Sequence, residues 1–134
     1  MILLYVAILL QTTWLITKIL KSMKKKIIYN NSIPFKGFAA ITIFPFIFAR
    51  KEYEPLGMRT IIHKNIHLKQ QIELLIVFFY LWYGIEWIVR LIQYKSFQKA
   101  YRNISFEREA YDNEYDDEYL DVRKPYEWIH YLRG

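Results

Sequence analysis

Two histidines, His63 and His67, stand four residues apart in the stretch Ile61-Ile62-His63-Lys64-Asn65-Ile66-His67-Leu68-Lys69-Gln70-Gln71. On a helix, residues at i and i+4 lie one above the other, so the two imidazoles can reach a single metal ion from one face. At about 100° per residue Gln70 and Leu74 share that face, and Lys64 sits beside it. Such a pair arises by chance in many helices. A third ligand and a fold to bring it close are required before the pair means metal.

The elements that must position this stretch are read from the rest of the chain. Its 134 residues suit one domain with a modest core. Hydrophobic residues make up 54% and aromatics 19%, with 12 Tyr, 9 Phe and 4 Trp, which argues against a disordered chain and toward membrane contact. Only 4 Gly and 4 Pro favour a mainly helical build. With no cysteine, any zinc must be held by histidine and carboxylate. The net charge of +6 is uneven: Lys18, Lys21, Lys24, Lys25 and Lys26 cluster, while 107–121 is acidic. A basic run directly after an apolar segment fits the anionic inner leaflet of a membrane better than nucleic acid, for which the chain has no motif.

Residues 1–20 are apolar for about the length of a bilayer core, with Trp14 as an interfacial anchor. The charge order is the reverse of a secretory signal. The positive-inside rule keeps the lysines cytoplasmic and the N-terminus outside. An amphipathic or core helix is the alternative, because Gln11, Thr12 and Thr13 interrupt the run. Residues 27–35 read as a short strand and turn. Phe38 to Phe48 reads as two strands or one bulged at Pro45. Arg50 to Gly57 is a loop, and a helix starting near Met58–Thr60 carries the histidines. The apolar segment 72–92 is punctuated by Glu73, Glu86 and Arg90, with Gly84 expected to kink it or divide it into two helices. Glu86 and Arg90 can pair at i,i+4. A further helix follows, N-capped by Ser105, on which Glu107, Tyr111, Glu114 and Glu118 share a face. Pro125 to Leu132 forms a last turn and helix, in which Trp128 and Tyr131 pack.

The histidine stretch resembles the H-E-x-x-H helix of gluzincin-type zinc metallopeptidases, in the version continuing x-x-Gln-Gln. Lys64 occupies the position of the general-base Glu. The family's downstream E-x-E-A-D motif is matched by Glu107-Arg108-Glu109-Ala110-Tyr111 except at the last position. The phrase Arg102 to Tyr111 is also similar to one in small membrane-associated bacterial proteins, chiefly of Bacteroidetes, a resemblance that names no activity or substrate. Together these resemblances cover roughly residues 35–132. They imply His63, His67 and Glu107 as ligands to zinc, with Tyr111 and Gln70 in supporting contact. They also imply that the strand before the metal helix aligns an extended substrate, where plain core packing is the competing reading.

Lys64 changes the chemistry that the resemblance implies. The missing Glu would take a proton from zinc-bound water and later deliver it to the leaving amine. An ammonium cannot accept a proton, and its charge opposes a nearby cation. Tyr111 replaces an acid that would orient a histidine, and accepts a hydrogen bond more weakly. The expectation is a mainly α, membrane-associated chain with a small β element and a zincin-like helical core. Residues 1–22 form a transmembrane or anchoring helix and 23–134 the single domain. Its function would be that of a degenerate metallopeptidase (a pseudoenzyme) at a bacterial inner membrane, with a protein or peptide as a further partner. Two alternatives stay open. One is an active enzyme using Glu109 or Glu73 as base, although Glu109 points about 160° away from Glu107 on a helix. The other is a non-enzymatic helical membrane subunit that binds a partner or anionic lipid.

Overall fold

The structure is a computed structural model and describes residues 1–23 and 27–133, without the side chains of 19–23. Lys24, Lys25 and Lys26 of the expected basic run lie outside the described residues, as do the side-chain contacts of Lys21. Six α-helices and one small sheet follow in the order α1 (Ile2–Met23), β1 (Ile27–Asn30), β2 (Ala40–Ile43), β3 (Phe46–Arg50), α2 (Met58–Glu73), α3 (Val77–Tyr94), α4 (Phe97–Arg102), α5 (Ser105–Asn113) and α6 (Tyr119–Val122). A 3-10 turn, Glu127–Tyr131, closes the described chain. The build is thus mainly α with a three-stranded mixed sheet.

Central β3 pairs parallel with β1 and antiparallel with β2. The β2–β3 hairpin turns at Phe44-Pro45, where proline cannot extend a ladder. Alternation along β2 buries Ala40 and Thr42 and exposes Ile41 and Ile43. The buried face meets α2 through a cluster of Ala40, Ile47, Ala49, Leu56 and Leu68. Arg50, expected in the loop, instead ends β3 as a buried residue and donates to the Pro34 carbonyl at 2.8 Å.

A second cluster joins Phe79 of α3 to Ile104, Phe106 and Trp128, and a third joins Ile62 and Ile66 of α2 to Ala110 of α5. Helix α2 therefore packs against the sheet on one side and α5 on the other. Its buried residues include His63, His67, Gln70 and Gln71. Four polar side chains inside one helix packing surface are costly unless each finds partners.

Two expectations are corrected here. The chain breaks at Leu74–Ile76, with a bend of 111° between α2 and α3, and not at Gly84. Leu75 and Ile76 take φ of 53° and 66°, and the Ile76 amide bonds back to the Gln71 carbonyl. The left-handed conformation is unfavourable for such side chains, and the turn is imposed by packing, since it swings Phe79 into the core. Gly84 stays within α3, and a Cβ there would meet nothing within 4 Å. Ser105 is likewise not the cap of α5. It is the first helical residue, and Glu86 of α3 accepts from its amide at 2.8 Å and its hydroxyl at 2.6 Å. A carboxylate borrowed from another helix thus satisfies the α5 N-terminus and complements its dipole. Glu86 also pairs with Arg90 at 3.4 Å, the i,i+4 contact expected from spacing.

Candidate metal centre

Helix α2 presents His63 and His67 to α5, and the first turn of α5 presents Glu107 to both. The His63 and His67 Nε2 atoms are 3.1 Å apart. Glu107 Oε2 lies 3.1 Å from the first and 3.3 Å from the second. All three residues are buried.

The other ring nitrogens decide what these atoms are. His63 Nδ1 contacts Glu114 Oε2 at 2.8 Å, and a carboxylate only accepts, so Nδ1 carries the proton. His67 Nδ1 contacts Gln70 Oε1 at 2.8 Å, while Gln70 Nε2 donates to the Phe106 carbonyl at 3.1 Å and to Glu109 Oε2 at 2.8 Å. That pattern fixes the amide orientation and makes His67 Nδ1 a donor as well. In the neutral rings both Nε2 atoms therefore carry lone pairs, and these converge with a carboxylate oxygen. A proton on one ring bridges one pair of the three. A divalent cation satisfies all three at once. Zinc bonds of about 2.0–2.1 Å in a tetrahedron put ligand atoms about 3.3–3.4 Å apart, close to the separations found. The donor set, two imidazoles and one carboxylate with no thiolate, suits zinc.

Tyr83 of α3 donates to Glu107 Oε1 at 2.9 Å, which leaves Oε2 for the histidines. Burial by itself would raise the Glu107 carboxyl, but the His67 and His63 imidazoles hold it well below the usual carboxylate range. In the metal-free chain this gives a definite sign. A carboxyl with a depressed folded pKa contributes stability that is present above its unfolded pKa, about 4.3, and is lost as pH falls through the folded value. The stability difference between the unmodified chain and Glu107→Gln should therefore shrink on acidification below about pH 5. Urea unfolding at a series of pH values checks this, and a difference that grows toward acid would contradict it.

Lys64 lies beside the imidazoles and lines a cleft of about 350 Å³ together with His67 and Glu107. Burial pushes its amine below the usual range, while Glu107 and Glu114 pull it back up. Tyr111 and His63 make a T-shaped ring contact, centroids 4.7 Å apart, and the Arg102 guanidinium lies over the Tyr111 ring. The hydrogen bond that would orient His63 comes from Glu114, not from the Tyr111 hydroxyl. Glu114 is held in turn by Arg59 at 2.7 Å. Glu109 is fully buried and faces away, bonded to Gln70, Tyr119 and Arg123. Glu73 also pairs with Arg123. Neither carboxylate is brought to the imidazoles.

The two adjacent glutamines have separate tasks. Gln70 orients His67. Gln71 pins the outer edge of β2, accepting from the Phe44 amide at 3.2 Å and donating to the Thr42 carbonyl at 3.3 Å. Strand β2 is thus an edge strand beside the metal helix, and Ala40, Ile41 and Thr42 form one wall of the cleft. Sequence reasoning assigned no role to Glu114 or Tyr83. A signal for Glu114 existed, since it shares the Glu107 face at i+7. Tyr83 is one of 12 tyrosines and carried none. Comparison with known proteins returned no matching family model, no matching curated protein and no matching solved structure.

Proposed function

We propose that this chain is a membrane-associated, zincin-like protein that holds zinc through His63, His67 and Glu107 and is impaired in peptide hydrolysis. What carries the reading is the convergence of three lone-pair donors within 3.3 Å while both outer ring nitrogens are occupied by acceptors. Zinc held by His63, His67 and Glu107 would supply a Lewis acid able to polarise an oxygen ligand. The chain's own residues do the rest. Glu114 and Gln70 fix the ring orientations, which keeps both Nε2 atoms basic. Tyr83 keeps Glu107 to one free oxygen. Lys64 stands where a carboxylate proton acceptor is needed; burial pushes its amine below the usual range while Glu107 and Glu114 pull it back, and in its ammonium form it has no lone pair to offer. Glu109 and Glu73 do not replace it, because both are committed to Arg123.

Membrane association is supported by α1. Every described side chain of this helix is exposed, and Ile2–Lys18 is apolar. Among the described residues no single helix is long and apolar enough to cross a membrane, and α1 would serve as a transmembrane or anchoring helix. The lysines that follow would face anionic cytoplasmic lipid.

The test uses the full chain in detergent with an unstructured peptide. Zinc should bind, and hydrolysis should not exceed that of the zinc-free control. Efficient hydrolysis that is abolished by Glu107→Ala would show an active peptidase and overturn the impaired reading.

A further inference from the structure

Helix α3 is amphipathic in the inverted sense. Its only charged residues, Glu86 and Arg90, are buried at 7% and 6% exposure. The opposite face carries Phe78, Leu81, Ile85, Ile88 and Ile92, each between 50% and 72% exposed. Their spacing of three and four makes one continuous line along the helix. A helix packed in a water-soluble protein does the reverse, and an apolar strip of this length marks an interaction surface.

Charge and aromatic content identify what covers it. From Leu74 to Phe106 the only acid is the buried Glu86, whereas Lys95 and Lys99 at the end of α3 and in α4 are exposed. The exposed acids Glu52, Glu54, Asp112, Asp116, Asp117, Glu118 and Asp121 all lie outside the 74–106 segment. Trp82 and Tyr94, partly exposed on α3, are of the amphipathic type favoured at a membrane–water interface. An anionic surface with an apolar interior complements both features. We propose that the outer face of α3 docks in the plane of an anionic lipid bilayer, its apolar line in the acyl boundary and Lys95 and Lys99 at the headgroups. Phe35 and Phe38, exposed at 84% and 65%, line the same cleft as Tyr80 of α3. The inference rests on the membrane association proposed above, but it concerns a different helix.

The chain has no cysteine, so single labels can be placed at will. Spin labels on the full chain at Leu9→Cys, Ile85→Cys, Ile88→Cys and Asp112→Cys would be read in phosphatidylcholine vesicles with and without phosphatidylglycerol. Accessibility to oxygen reports lipid, and accessibility to an aqueous nickel chelate reports water. The expected result is oxygen-accessible, nickel-shielded labels at positions 9, 85 and 88, a water-exposed label at 112, and stronger shielding at 85 and 88 with phosphatidylglycerol. If position 9 is in lipid while 85 and 88 are as nickel-accessible as 112, α3 does not dock, and anchoring by α1 stands. If 85 and 88 are shielded from both probes, a protein surface covers them and the bilayer assignment is wrong. If position 9 is also in water, both membrane readings fail.

Discussion

Replacing Lys64 with glutamine is expected to raise zinc affinity by about tenfold or more, and replacing it with glutamate to raise it further. A unit charge close to a divalent ion is worth about a few kcal/mol even at an effective dielectric near 20. Glutamine removes the cation without adding a base. Glutamate removes it and supplies a carboxylate as well. The two variants therefore separate charge from chemistry: both should bind better, and only Lys64→Glu has a group able to accept a proton during hydrolysis. All three proteins must be titrated at one pH, because protons compete with the metal for the imidazoles. Equal, measurable affinities would mean that the Lys64 amine carries no charge at the site. Negligible binding in all three would make the histidine pair structural.

Arg123→Met is expected to cost about 3–5 kcal/mol of folding stability, the usual range for breaking a buried pair. The Arg123 side chain is 3% exposed and bonds to both oxygens of Glu109, which is fully buried, and to Glu73. Burial alone would lower its pKa, but Glu109 and Glu73 hold the guanidinium firmly charged. Without it, Glu109 stays as a desolvated anion with only Gln70 and Tyr119 as donors. The double variant Arg123→Met/Glu109→Gln should recover part of the loss, because it removes the orphaned charge. Denaturant unfolding of the four proteins closes the cycle. A loss below about 1 kcal/mol would show that this network contributes little.

The candidate site was legible because helical periodicity is local: His63 and His67 at i,i+4, and Glu107, Tyr111 and Glu114 at four and three, need no tertiary knowledge to be placed on one side of their helices. The β2–β3 hairpin was legible because Pro45 interrupts a β-branched and aromatic run. Which partner each group meets was not. The turn at Leu74–Ile76 has no glycine or proline to announce it, and the chain accepts left-handed leucine and isoleucine there to seat Phe79. Gly84, the residue that carried the break signal, remains an ordinary helical position. Ser105 reads as an N-cap from its type, yet its first-turn amide is satisfied by Glu86, 19 residues earlier. Glu109 shares a motif with Glu107 but serves the opposite side of α5, where Arg123 fixes it. Long-range packing decided the turn and long-range charge pairing the other contacts, and no local pattern encodes either.

Zinc content of the full chain, purified without chelator and dialysed against trace zinc, tests the central claim most directly. One zinc per chain is predicted for the unmodified protein, and none for folded Glu107→Gln or His67→Ala, with circular dichroism confirming that each variant is helical. No zinc in the folded, unmodified chain, or one zinc retained when Glu107 is replaced, would contradict the assignment of His63, His67 and Glu107 as a metal site.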